Sequence, residues 1–284
     1  MPELPEVETV VRQLRPQVTG RHLKRLQVFD PRLKPGRAPR LPGSRIHRVL
    51  RVGKQVLFEV GRKQPEKAPG RAFLACHLRM TGRLIWKPKR DDRGPHLRAT
   101  LVLEDGVVDF IDPRRFGTLR WLRRIEEAEP GGIDPLSPAF TAPVLRRLLA
   151  GSRQELKVWL LRQDRLAGLG NIYACEILHR AGLAPRRAAG RLSAAEIQRL
   201  FGAIGEILDA AIEKCGTTFS DFQDARGEQG DYQAMLEVYG REGEGCRRCR
   251  RGKIRRIVQQ QRSTFFCPVC QNRRHRRAGP GKAG

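Results

Sequence analysis

The sequence predicts an α+β multidomain chain: a β-rich N-terminal domain opened by one helix, a helical domain, and a short cysteine-bearing hairpin followed by a basic tail. Three observations lead there. Between residues 22 and 122, short β-branched and aromatic runs alternate with Gly, Pro and charged turns. After a Pro/Gly-rich stretch at 128–138 the apolar residues recur with helical spacing. Four of the seven cysteines then fall into two C-x-x-C pairs near the C-terminus. At 284 residues the length suits about two domains with cores of their own.

The chain opens MPELPEVETV. Pro5 suits a first helical turn, Glu3, Glu6 and Glu8 suit the positive end of the helix dipole, and Val7, Val10, Val11 and Leu14 give the buried stripe. Pro2 has no role in that reading. The runs LQVFD, RIHRVLRV, QVLFEV, FLACHL, ATLVLE, VVDFI and TLRWL are the expected strands of an all-β sandwich or barrel, with GRKQPEKAPGR (61–71) as a hydrophilic loop. AEPGGIDPLSP (128–138) is the expected interdomain linker. Beyond it QELKVWLLRQD and NIYACEILHRAG predict two helices joined by a short connection. A third helix begins with the Ser193/Glu196 capping-box pattern, carries Ile197, Leu200, Phe201, Ile204, Ile207, Leu208 and Ile212, and stops at Gly216.

Lys and Arg number 56 against 30 acids, a formal net charge of +26 that favours a polyanionic partner, with nucleic acid the natural one. The excess is uneven: residues 241–284 hold 14 Lys and Arg against two Glu. No run approaches the ~20 apolar residues of a membrane span, and the acidic, proline-bearing start is unlike a signal peptide. A cytoplasmic, nucleoid-associated location is expected. In that setting clustered cysteines favour metal over disulfides, and the scattered Cys76, Cys175 and Cys215 read as small buried hydrophobes.

Cys246 and Cys249 are separated by 17 residues from Cys267 and Cys270, a spacing that suits one closed, four-thiolate structural zinc site. The hairpin between them carries Arg255, Arg256 and Arg262 for phosphate contacts. GLGN at 168–171 places Asn171 as the cap of the next helix. The turn reads either as a phosphate seat, with Arg153 and Lys157 before it, or as an ordinary connection. DPRRFG (112–117) puts Arg114 and Phe116 on one turn, a cation beside an apolar side chain that serves either as a duplex wedge or as a core anchor. Met80 in HLRMTG (77–82) is open to the same two readings. If Met1 is removed, Pro2 presents a secondary amine with a pKa near ~8, able to attack a sugar aldehyde carbon, with Glu3 beside it to move a proton.

Taken in order, MPELPEVETV, GKQVLFEV, HLRMTG, DPRRFG, GLGNIYACEIL, VYGREGEGC and the terminal cysteine pairs resemble the formamidopyrimidine-DNA glycosylase / endonuclease VIII family from Pro2 to Cys270. The resemblance implies an N-terminal β-sandwich domain (1–130), a helix-two-turn-helix domain with a lesion-capping loop at 217–233 (131–240) and a zinc finger (241–271); the basic tail (272–284) departs from it and reads from its composition as a disordered tether. Duplex DNA would lie in the cleft between the domains. It implies a bifunctional glycosylase and AP lyase that everts and removes oxidised purines. Pro2 would be the Schiff-base nucleophile, Glu3 the proton donor and Glu6 a supporting carboxylate. Lys54 would serve β-elimination, and Arg262 δ-elimination and phosphate binding. Lys157, Asn171, Arg153, His96 and His77 fall among the expected DNA contacts, and Met80, Arg114 and Phe116 would fill the gap left by the everted nucleotide. One structural zinc, no organic cofactor and a monomer are expected. Arg79 stands where the resemblance leads to glycine. Two alternatives are an endonuclease VIII-like enzyme for oxidised pyrimidines, which PELPE and DPRRFG disfavour, and a non-catalytic zinc-stabilised DNA-binding protein.

Overall fold

The computed structural model describes residues 2–37, 43–62, 71–89, 94–128, 130–218 and 222–271. Met1, most of the 61–71 loop and the 272–284 tail lie outside the described residues. Two compact units divide the chain: Met1–Gly132 with Asp209–Ala234, and Ile133–Leu208 with Met235–Gly284.

Helix α1 (Leu4–Val18) opens the first unit, with Pro5 in its first turn as expected. Its apolar stripe of Val7, Val10, Val11, Leu14 and Val18 is wholly buried. Eight strands follow: β1 (Leu23–Val28), β2 (Arg45–Val52), β3 (Gln55–Gly61), β4 (Ala72–His77), β5 (Arg83–Lys87), β6 (Leu97–Leu103), β7 (Val107–Ile111) and β8 (Thr118–Leu122). They form two antiparallel four-stranded sheets, ordered β1-β6-β7-β5 and β2-β3-β4-β8, which makes the unit a sandwich rather than a barrel. One cluster joins the α1 stripe to inward residues of both sheets, among them Phe58, Leu74, Leu101 and Phe110. The period of two shows on β3, where Val56 and Phe58 face this cluster while Leu57 joins a second one with Phe73, Ala75 and Leu122. Strand β5 is an addition to the expected set. Its apolar Leu84, Ile85 and Trp86 are too short a run between cations to stand out, and pairing with β7 makes them a strand.

The second unit holds α2 (Ala142–Leu149), α3 (Leu156–Leu160), α4 (Asn171–Ala181), most of α5 (Ala194–Glu213) and a hairpin of β9 (Arg255–Gln259) and β10 (Arg262–Phe266). Helix α2 adds to the expected helices, and α3 is shorter than QELKVWLLRQD suggests. The N–H groups of Leu156 and Lys157 donate to Arg187 and Pro185 carbonyls, and the helix ends at Leu160 because the N–H groups of Leu161 and Arg162 donate to the carbonyls three residues back; Arg153 sits before the helix, in a loop. Helix α5 has the expected capping box: Ser193 N–H donates to Glu196 Oε2 at 2.8 Å and Glu196 N–H to Ser193 Oγ at 3.3 Å. From Asp209 to Ala234 the chain belongs to the first unit, where Gly216 takes φ +80°.

One expectation needs correction here. Cys76 and Cys175 are buried, but Cys215 is only half-buried, because it lies past the last turn of α5 with φ 56°. The described residues of the polar 217–233 segment pack on the first unit. Phe222 and Ala225 join the sandwich core and Tyr232 is buried. The side chain of Gln13 donates to Asp224 Oδ2 at 2.6 Å and accepts the Ala225 N–H at 2.8 Å. Residues 219–221 of this segment lie outside the described residues. Among the described residues, no helix is long and apolar enough to cross a membrane.

Candidate functional site

The first group of candidate residues sits at the start of α1. Pro2 is buried and precedes Glu3, whose extended backbone (φ −106°, ψ −166°) enters the helix. Glu3 and Glu6 are both buried. Glu6 Oε2 accepts the Glu3 N–H at 2.7 Å and Glu6 Oε1 accepts the Thr217 N–H at 2.8 Å, so one carboxylate ties the residue next to Pro2 to the base of the 217–233 segment. Gly216 makes room for it: a Cβ there would lie 2.7 Å from Glu6 Oε1. On the next turn of α1, burial works to raise the Glu8 carboxyl, but the guanidiniums of Arg12 and Arg51 outweigh it and hold the group below its ordinary range.

Lys54 follows Gly53 in the tight turn joining β2 to β3, where Gly53 takes φ +57° and Val52 pairs with Gln55. Gln55 in turn pairs with His77 on β4. Burial and the nearby positive charges of Arg79 and Lys54 push His77 down to about 4. Its Nδ1 accepts the Arg79 N–H at 3.1 Å, and the ring is therefore a neutral neighbour of the Lys54 ammonium at pH 7.

Met80, Arg114 and Phe116 lie on two turns of the same unit. Met80 is 41% exposed and Phe116 51%, so neither is a core anchor. The Arg114 guanidinium stacks 4.8 Å from the centre of the Phe116 ring. Beneath these tips, buried Thr81 donates its hydroxyl hydrogen to Asp112 Oδ1 and accepts the Arg114 N–H at 3.2 Å, while Asp112 Oδ2 accepts the Gly117 N–H at 2.7 Å. The carbonyl of His96 accepts the Asp112 N–H at 3.0 Å, with His96 itself exposed at φ 65°. Thr81 and Asp112 belong to the quoted motifs HLRMTG and DPRRFG, yet only the fold shows that they meet.

The second unit brings Lys157, Asn171 and Arg262 into one neighbourhood. Asn171 does not cap α4 as expected. Gly170 holds the cap position, and Asn171 is the first helical residue, which turns its amide sideways. Its Oδ1 accepts from Lys157 Nζ at 2.5 Å and its Nδ2 donates to the Ser263 carbonyl at 2.9 Å, next to Arg262. Lys157 is buried, while Arg153 and Arg262 are exposed. Arg262 starts β10 directly after Gln260 (φ 45°) and Gln261 (φ 58°), a two-residue hairpin turn of the type usually made by Asn-Gly. Glu176 is a functional support that motif reading misses, although an acid within the apolar run NIYACEIL is the signal for it. It is buried and accepts N–H bonds from Glu237 at 2.9 Å, Val238 at 3.0 Å and Tyr239 at 2.8 Å, which fixes the segment leading into the cysteine hairpin.

The sulfurs of Cys246, Cys249, Cys267 and Cys270 all lie within 4.8 Å of one another, with Cys246 to Cys270 and Cys249 to Cys267 each 3.7 Å apart. A tetrahedral zinc with ~2.3 Å bonds to sulfur requires sulfur–sulfur edges of about 3.8 Å, so the four thiolates fit one structural zinc. That ion would close the two knuckles and leave no coordination position for chemistry. His179 Nε2 lies 3.5 Å from Cys246 Sγ.

A β-sandwich entered through a capped N-terminal helix, a helical unit and a four-cysteine hairpin define the class of the helix-two-turn-helix DNA glycosylases. Three domain descriptions match in the same order: Formamidopyrimidine-DNA glycosylase N-terminal domain over residues 1–119, Formamidopyrimidine-DNA glycosylase H2TH domain over 132–223, and Zinc finger found in FPG and IleRS over 243–273. The formamidopyrimidine-DNA glycosylase of Desulfitobacterium hafniense is 39% identical over 281 residues, covering 95% of this chain and all of the relative. The crystal structure of the MutM (Fpg) protein from Thermus thermophilus superposes with a TM-score of 0.80 at 42% identity, covering 95% of this chain and 98% of the other. A Lactococcus lactis Fpg mutant solved with Fapy-dG containing DNA gives 0.82 at 32% identity, covering 95% of this chain and 100% of the other. The chain belongs to the formamidopyrimidine-DNA glycosylase family.

Proposed function

We propose that the chain excises oxidised purines, 8-oxoguanine and formamidopyrimidines, from duplex DNA and then nicks the strand by β,δ-elimination. The observation that carries this reading is the position of Pro2, buried at the head of a helix whose first acids, Glu3 and Glu6, are themselves buried and hydrogen-bonded, in a chain of this glycosylase family. With Met1 removed, the Pro2 nitrogen attacks C1′ of the everted nucleotide, and the base leaves with the electrons of its glycosidic bond and takes up the proton that the amine gives off. Glu3 supplies a proton to the sugar ring oxygen as the ring opens. The resulting iminium acidifies C2′; a base takes that proton as the 3′ phosphate leaves, a second proton is lost from C4′ as the 5′ phosphate leaves, and water hydrolyses the remaining iminium to free Pro2.

Lys54 assists the first elimination, and Arg262 the second together with phosphate binding. Eversion costs a few kcal/mol of stacking, which Met80, Arg114 and Phe116 offset by filling the vacated space, with Arg114 facing the orphaned cytosine. His77, His96, Arg153 and Asn171 contact the DNA, and Lys157, expected among the contacts, acts from its buried position through the Asn171 amide. The catalytic domain is assigned to 1–130, the helix-two-turn-helix domain with the capping loop to 131–240, the zinc finger to 241–271 and an electrostatic tether to 272–284. The protein acts as a monomer in the bacterial cytoplasm, on the nucleoid.

The test is competitive excision from duplexes that each carry one lesion. Faster release of 8-oxoguanine and formamidopyrimidine opposite cytosine than of thymine glycol or dihydrouracil supports the reading. A preference for the oxidised pyrimidines replaces it with the endonuclease VIII-like one, and binding without release of any base replaces it with the non-catalytic one.

A further inference from the structure

Met80 and Phe116 reach into solvent from separate turns, yet the bases of these turns are joined below the surface. Thr81 is 3% exposed and Asp112 1% exposed. The Thr81 hydroxyl works in both directions, donating to Asp112 Oδ1 and accepting the Arg114 N–H, and Asp112 Oδ2 closes the far end of DPRRFG through the Gly117 N–H. Further bonds hold each turn, within itself or to neighbouring segments of the sandwich. Gly82 N–H donates to the Leu78 carbonyl at 2.9 Å. Arg98 Nε donates to the Asp112 carbonyl at 2.8 Å, and Arg115 is held by the carboxylate of Asp30 at 3.1 Å. A Cβ on Gly117 would lie 2.4 Å from the Phe110 ring, so the turn packs against the sheet with no room for a side chain there. The result is a stiff base carrying three tips, with the Arg114–Phe116 stack already formed.

We propose that Thr81 and Asp112 are positioning residues that hold Met80, Arg114 and Phe116 as one preformed wedge. Two separate turns would each need ordering at the moment the nucleotide leaves the stack, whereas a latched pair meets that cost during folding. This inference rests on the proposed gap-filling role of the three tips. Neither Thr81 nor Asp112 needs to touch DNA for it to hold.

Thr81→Val keeps the shape of the side chain and removes both hydrogen bonds. Excision of 8-oxoguanine from a duplex should fall about tenfold in kcat/KM, while borohydride trapping on a single-stranded abasic oligonucleotide, which has no stack to refill, stays at the native rate. Thr81→Ser, which keeps the hydroxyl, should restore duplex activity. Added to Phe116→Ala, Thr81→Val should cost less than tenfold, because the wedge it positions is already cut back. Native duplex activity in Thr81→Val, an equal loss on single-stranded DNA, or a fully additive double variant would each overturn the latch. If Phe116→Ala, Met80→Ala and Arg114→Ala all excise at the native rate, the gap-filling reading fails instead. If those variants are slow and Thr81→Val is not, only the latch does.

Discussion

Glu6→Gln is the substitution that reports most on how the site is built. In the native protein one buried carboxylate takes the Glu3 N–H at 2.7 Å on one oxygen and the Thr217 N–H at 2.8 Å on the other. Glutamine has the same shape but keeps one acceptor oxygen, so its NH2 group must face one of the two N–H groups. A hydrogen bond to a charged acceptor contributes roughly 1.5–3 kcal/mol net, and a buried donor left unpaired costs roughly 1–3 kcal/mol. The expected loss is therefore about 3 kcal/mol, which for a domain of this size lowers the melting temperature by roughly 6–12 °C. Differential scanning calorimetry of the full chain reads it directly. Gly216→Ala should act on the same carboxylate from the other side, since its Cβ would lie 2.7 Å from Glu6 Oε1 and its φ of +80° disfavours any side chain. A Glu6→Gln protein that melts within about 1 °C of the native one would show that the carboxylate bridges nothing of consequence.

Other expectations follow from the same geometry. Metal analysis should return one zinc per chain, and Cys249→Ser should lose both the metal and most DNA affinity; retention of affinity without metal would contradict the role given to the hairpin. His77 has a folded pKa of about 4 against about 6.5 unfolded, so it costs nothing above pH 6.5 and destabilises the fold increasingly as pH falls from there toward 4. Its ring proton shifts in an NMR titration should stay flat from pH 8 to pH 5, and an inflection near 6.5 would refute that. Arg79 occupies a left-handed position with φ 55° next to Met80. Arg79→Gly relieves that strain while adding unfolded-state entropy, so stability should move by less than about 1 kcal/mol. The slope of DNA affinity against salt should fall by about one counterion if Arg79 meets a phosphate.

What can be read from the sequence is what depends on neighbours in the chain. The α5 stripe and its Ser193/Glu196 box, the start of α1, and the two C-x-x-C pairs are all set by spacings of a few residues. Strand β5 escapes such reading because RLIWK is recognisable only once β7 pairs with it, and α3 reads too long because the chain tightens into i−3 turns at Leu161 and Arg162. Asn171 looks like a cap since its side chain suits one locally; its partners, the Ser263 carbonyl and Lys157, are supplied by the fold. The same holds for the candidate site. Pro2, Glu3, Met80, Arg114 and Phe116 announce themselves within short motifs. The groups that orient them, the Glu6 bridge to Thr217 and the Thr81–Asp112 pair, are contacts across 211 and 31 residues that no local pattern encodes.

The central claim is that the amine of Pro2 is the nucleophile. The direct measurement is borohydride reduction of the protein on a duplex with 8-oxoguanine opposite cytosine, followed by peptide mapping of the adduct by mass spectrometry. The account predicts one covalent DNA adduct per chain on residue 2, with Met1 absent, and no adduct or strand cleavage when an N-terminal extension blocks the amine. An adduct on Lys54 or another lysine, or full activity in the blocked protein, would contradict it.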